Sequence, residues 1–124
     1  MTSSATDAEP QRLLVRADAG RLIGSGHVVR SLTIAQAVAS RGMRVTFATR
    51  DDSGALAARI SREGHGLITM PGEAPPGSVF RGPWDAAAQR LDLEHVVAES
   101  PSGYSAVIVD HYGLDAAWER GVRA

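Results

Sequence analysis

A chain of 124 residues fits one domain with room for a buried core, but it is short for an enzyme that must enclose a large substrate. Thirteen basic and fourteen acidic residues leave a net charge of −1, so no strong field gathers nucleic acid or anionic lipid, and neither is expected as a partner. Cysteine is absent and every basic residue is arginine, which excludes disulfides, thiolate metal sites, a cysteine nucleophile and Schiff-base chemistry on lysine.

Residues 1–12 are mostly Ser, Thr, Ala and acidic. They lack the apolar core of a signal peptide and read as a frayed tail ahead of one domain over 13–124. No apolar run approaches the roughly eighteen residues of a membrane span, so a cytoplasmic protein is expected. Leu13-Leu14-Val15-Arg16-Ala17 reads as a buried strand, and Asp18 to Gly26 as a loop. From His27 to about Arg41 the pattern is helical, with Val28, Leu32, Ala35 and Ala39 on one face and Gly42 at the C-cap. The unit then repeats: a strand over Arg44 to Ala48, a helix over Ala55 to Glu63 closed by Gly64, and a strand over Gly66 to Thr69. Between Pro71 and Pro83 four prolines and three glycines exclude a helix and imply an irregular loop. A helix over Asp85 to Glu99 follows, then Ser105-Ala106-Val107-Ile108-Val109, the clearest buried-strand pattern in the chain, then a helix starting near Leu114 or Asp115. Strands separated by helices of this length pair in parallel through right-handed crossovers, which predicts an α/β, Rossmann-like sheet with helices on both faces. Ligands of such sheets bind outside the carboxyl ends of the strands, so the loops after Ala17 and Val109 are where chemistry is expected.

Gly24-Ser25-Gly26 lies just before a helix, where glycines let backbone approach a ligand and N–H groups point at it; phosphate is the natural guest. The spacing covers only the first two glycines of a dinucleotide fingerprint and equally fits a tight turn with a capping serine. His27 stands at the helix start, where the dipole favours the neutral, proton-accepting imidazole; the same position also suits a solvated histidine. Arg30, three residues on, shares its face and either holds an anionic oxygen or packs on the surface. Asp110, His111 and Tyr112 crowd the end of the last strand. Asp110 there orients His27, accepts a sugar hydroxyl or caps the next helix; His111 titrates or donates; Tyr112 stacks, hydrogen-bonds or closes the core edge. Arg16 and Asp18 pair with one another or face the same pocket. His65 and His95 read as ordinary surface residues. No His-Glu-x-x-His or clustered Asp pattern is present, so neither a metal nor another cofactor is expected.

Arg16-Ala17-Asp18, then Ile23-Gly24-Ser25-Gly26-His27-Val28-Val29-Arg30 with Leu32, and later Val109-Asp110-His111-Tyr112-Gly113-Leu114 occur in order and spacing that resemble the bacterial UDP-2,4-diacetamido-2,4,6-trideoxy-β-L-altropyranose hydrolases of pseudaminic acid biosynthesis. The resemblance spans roughly Leu13 to the C-terminus. It implies the N-terminal domain of an enzyme built like the two-Rossmann-domain (GT-B) glycosyltransferases but turned to hydrolysis. It further implies that His27 activates a water, which attacks the anomeric carbon and expels UDP without a metal. The resemblance also implies that Tyr112 lies near the sugar and that Gly24 to Gly26 border the diphosphate; the reading of the residues themselves adds Arg16, Asp18, Arg30, Asp110 and His111 as candidate substrate-binding residues. The family has a second α/β domain that supplies much of the uridine and diphosphate site. Nothing here corresponds to it, so a fragment or truncated product with little activity alone is expected, completed by a missing domain or partner chain. A glycosyltransferase domain and a degenerate, non-catalytic sugar-nucleotide-binding module are the alternatives.

Overall fold

The structure is a computed structural model that describes residues 11–19, 26–50, 54–71, 84–100, 103–111 and 113–123, the side chains of His27 and Arg123 excepted. The elements in order are β1 (Arg12–Ala17), α1 (Gly26–Ala39), β2 (Arg44–Thr49), α2 (Ala55–Arg62), β3 (Gly66–Thr69), α3 (Ala86–Glu99), β4 (Ala106–Asp110) and α4 (Ala116–Arg123). The four strands form one all-parallel sheet in the order β3-β2-β1-β4. This is the expected Rossmann-like α/β architecture, and each expected element is present within a residue or two of its predicted ends.

Alternation along the strands divides the core in two. Leu13, Val15 and Ala17 point to one face of β1, where Val45, Phe47 and Ile60 join Val28, Leu32 and Ala35 of α1. Leu14, Ala48 and Ile68 point to the other face and meet Val96 of α3 with Trp118 and Val122 of α4. Helices α1 and α2 therefore cover one face, and α3 and α4 the other. Each fully buried Leu or Phe in such a core contributes on the order of 1.5–3 kcal/mol.

The helix ends follow from glycine. Met43 N–H donates to Val38 O (3.3 Å) and Gly42 N–H to Ala39 O (3.0 Å), with Gly42 at φ 91°. The same pair of bonds closes α2, His65 N–H to Ile60 O (3.2 Å) and Gly64 N–H to Ser61 O (3.0 Å), with Gly64 at φ 90°. Both are Schellman motifs, whose left-handed residue is sterically easy only for glycine. Helix α3 begins at an Asp85 N-cap that accepts Ala88 N–H at 2.8 Å. At α4 the corresponding acceptor is Asp115, bound by Ala117 N–H at 3.0 Å.

Three expectations change. Ala39, the last residue of α1, is exposed although it shares the face of Val28, and Ser31 and Val38 also turn inward. His65 is buried against Phe47, with ring centroids 5.6 Å apart, rather than lying on the surface. Strand β4, read as buried, is half-exposed: among the described residues it is an edge strand, paired with β1 on one side. An apolar run reports side chains that seek a core, but it does not report whether the second edge of the strand is covered.

Candidate functional site

Chain order and strand order diverge between β1 and β4. From β1 the chain moves outward through β2 to β3, then returns across the sheet to place β4 on the other side of β1. The helices that follow these strands lie on opposite faces of the sheet, α1 on one and α4 on the other, so the carboxyl ends of β1 and β4 form the switch point at which open α/β sheets have their ligand crevice. Register pairs Ala17 with Asp110, so Asp18 and His111 sit side by side at the mouth, with the first turn of α1 beside them.

The floor of this crevice is a buried ionic network. Arg16 points to the α3/α4 face of β1, and its side chain is 0% exposed. Its Nε donates to Asp92 Oδ1 at 2.9 Å and its Nη2 to Asp92 Oδ2; Nη1 and Nη2 also reach Asp18, and Nη1 reaches Ala48 O at 3.3 Å. These five bonds match the five N–H groups of a guanidinium. Burial alone would lower the Arg16 pKa, but the Asp92 hydrogen bonds and the two carboxylate charges outweigh it and hold it above the ordinary arginine value. Asp92 also accepts Trp118 Nε1–H at 3.0 Å, which ties α4 to α3. Asp18 collects donors from the ends of three strands: Arg16 from β1, Arg50 after β2 through its backbone N–H (2.8 Å) and Nη1 (3.0 Å), and His111 Nε2 after β4 (2.7 Å). Burial raises the Asp18 pKa, yet the His111 hydrogen bond and the Arg16 charge prevail and hold it well below the usual carboxylate range. Two guanidinium groups thus face two carboxylates in the floor.

His111 is held at both ring nitrogens. Gly113 N–H donates to Nδ1 at 2.9 Å, which makes Nδ1 an acceptor and leaves Nε2–H to donate to Asp18. Trp84 meets the imidazole edge-on, centroids 4.8 Å apart at 85°, and donates its backbone N–H to Gly113 O at 2.8 Å. A Cβ on Gly113 would lie 2.3 Å from Trp84 Nε1, so a side chain there must displace the indole.

At the rim, Arg30 on the second turn of α1 reaches across to Asp110 at the end of β4, with Nη2 at 2.8 Å and Nε at 3.2 Å from Oδ2. Arg30 is 62% exposed and Asp110 24%, so this pair faces solvent at the crevice, unlike the floor. Gly26 is the first residue of α1, and among the described residues an added Cβ would meet nothing within 4 Å. His27 follows it in the first turn.

The expected site residues therefore separate into layers. Arg30, Asp110, Gly26 and the backbone of His27 surround the opening. Arg16 and Asp18 pair with one another, one of the two arrangements their positions allowed, and together with His111 they are buried and hydrogen-bonded within the protein beneath the rim. Gly24, Ser25, Tyr112 and the His27 side chain lie outside the described residues. His95, expected on the surface without a partner, is hydrogen-bonded through Nε2 to Thr69 O at 3.1 Å. Asp92, Arg50, Trp84 and Trp118 were not expected. The signal for Asp92 was present, since Gln89, Asp92 and Val96 form the inward stripe of α3, and an arginine inside an apolar strand requires a carboxylate.

An open cavity of about 540 Å³ lies beside the network, between α3 and the carboxyl ends of β2 and β3, and Arg50 and Asp92 belong to both. Among the described residues no group of three or more His, Cys, Asp or Glu is placed to hold a metal ion, and no helix is long and apolar enough to cross a membrane. No protein-family model, curated protein or solved structure matches the chain.

Proposed function

We propose that the chain is the base-bearing domain of a metal-independent nucleotide-sugar hydrolase, acting on a UDP-linked 2,4-diacetamido-2,4,6-trideoxy sugar in pseudaminic acid or related nonulosonic acid biosynthesis. The reading is supported by one observation above all: two segments about 80 residues apart meet at the mouth of one crevice, through Arg30 with Asp110 and Asp18 with His111. These are the segments on which the resemblance to such hydrolases rests.

In this mechanism His27, at the positive end of α1, accepts a proton from water as the water oxygen bonds to the anomeric carbon. The bond from that carbon to the diphosphate oxygen breaks, and UDP departs with the electron pair. UDP is already a good leaving group, so placing a water beside a neutral base is the main task of the protein. Arg30 gives up part of its bond to Asp110 and pairs with a diphosphate oxygen. A second α/β domain or a partner chain completes the uridine site.

The test is UDP release from the UDP-sugar, with product analysis, in the presence of the second α/β domain or partner chain that completes the site. Equal amounts of UDP and free sugar are expected, and His27→Asn lowers turnover by about 10²–10⁴-fold with little change in binding. Transfer of the glycosyl group to an added acceptor, or unchanged turnover in the variant, would overturn the proposal.

A further inference from the structure

We infer that the outer edge of β4 pairs antiparallel with β4 of a second copy of this chain, about a two-fold axis at Ile108, so that two four-stranded sheets join into one. Which backbone groups face that edge follows from the bonds at the start of the sheet. Gln11 O accepts Arg44 N–H at β2, and Arg12 O accepts Ser105 N–H just ahead of β4. Alternation along β1 then turns Leu13, Val15 and Ala17 toward β2, and Leu14 and Arg16 toward β4. With Leu13 level with Ala106 and Val15 level with Ile108, the β4 residues that bond to β1 are Ala106, Ile108 and Asp110. Val107 and Val109 therefore turn their N–H and C=O groups outward, where among the described residues no strand meets them.

The sequence of the strand selects the partner. Val107-Ile108-Val109 reads the same in both directions, as a self-complementary antiparallel contact requires. Centred on Ile108, the pairing sets Val107 against Val109 of the second copy as a hydrogen-bonded pair, twice over, and Ile108 against its own mate at the closer, non-hydrogen-bonded position. No other two-fold register pairs all five residues of Ala106–Asp110. Asp110 then lies level with Ala106 of the second copy and not with another carboxylate, and a net charge of −1 per chain opposes association only weakly.

The edge also lacks the devices that keep strands apart. Natural edges are blunted by shortness, proline, lysine or a bulge. Strand β3, at the other side of the sheet, is four residues long and opens with Gly66, whereas β4 has three consecutive β-branched residues in unbroken register with β1. Helix α1 widens the contact. Ile34, 42% exposed, lies one turn beyond Arg30 on the flank that reaches Asp110, and Ile108 packs on the same face of the sheet. A five-residue strand with one flanking side chain falls among interfaces of less than about 1,200 Å² in total, so the dimer is weak, with a Kd on the order of 10–100 µM.

The experiment follows the mass of the full chain by sedimentation from about 1 µM to about 1 mM, with backbone amide exchange by NMR across the accessible part of that range. The mass is expected to rise from 13.0 kDa toward twice that value. Protection of the Val107 and Val109 amides rises with it, while the Ile108 amide, bonded to β1, is protected throughout. Val109→Pro removes an outward N–H that β1 does not use, and Ile34→Arg sets two like charges about the axis; each raises the dissociation constant at least about tenfold. Ile34 is exposed, so its variant carries the test if the proline variant does not fold. A mass that stays at 13.0 kDa, valine amides whose protection ignores concentration, or an Ile34→Arg variant that associates like the parent overturns the pairing. The axis lies at the middle of β4, away from the crevice at its end, so the proposed function stands or falls separately.

Discussion

Arg16 decides more at the level of single residues than any other side chain described. A guanidinium with no solvent exposure survives only because two carboxylates take four of its donors and Ala48 O the fifth, and removing a carboxylate strands a buried charge. Asp92→Ala is therefore expected to destabilise the protein by about 3–5 kcal/mol, read as a lower urea midpoint with an unchanged slope. Asp18 makes the same point through pH. Its folded pKa is depressed, so its contribution to stability is fully present above the unfolded value near 3.8 and is lost as pH falls through the folded one. Unfolding free energy measured from pH 7 downward should drop below about pH 4, and Asp18→Asn, though less stable, should lack that part of the slope. Arg30 behaves differently because it faces water. Arg30→Ala should barely move stability, but it should weaken UDP-sugar binding by about tenfold to a hundredfold, as expected for loss of a charged hydrogen bond to phosphate.

Helices and strands were the most legible part of the sequence, for a physical reason: their signals are local. Gly42 and Gly64 end their helices in the left-handed region, and Gly42→Ala or Gly64→Ala should each cost about 1–2 kcal/mol in thermal or urea unfolding. Asp85, read as the first residue of its helix, is instead the N-cap one residue ahead of α3. Signals that depend on a partner element were harder to read. The exposure of β4 depends on what lies beside it, and the inward place of His65 depends on Phe47 of the neighbouring strand. Gly113 belongs to the same class: its reason for being glycine is an indole 29 positions earlier in the chain, 113 minus 84. Gly113→Ala must push Trp84 aside and is expected to cost about 1–3 kcal/mol while disturbing the His111 ring resonances.

Taken as a whole, the molecule uses one end of its sheet for everything unusual. Arg16, Asp18, Arg30, Asp110 and His111 at that end stood out in the sequence, because strand termini in parallel sheets are where ligands bind, whereas Arg50 and Asp92 did not. The division of labour among them was not legible, since exposure separates Arg30 from Arg16 and only packing sets exposure. The floor also binds the molecule mechanically. Its members come from β1, α3 and α4 and from the turns after β1, β2 and β4, so no single piece can peel away without abandoning a charge in an apolar setting. Local opening, which in many domains loosens one helix at a time, is here coupled across most of the chain. Native-state amide exchange should accordingly find β1, β2 and β4 released in one concerted event with a common free energy. In a double Arg16→Met, Asp92→Leu variant, which swaps that ion pair for hydrocarbon, α3 should acquire a separate, cheaper opening of its own.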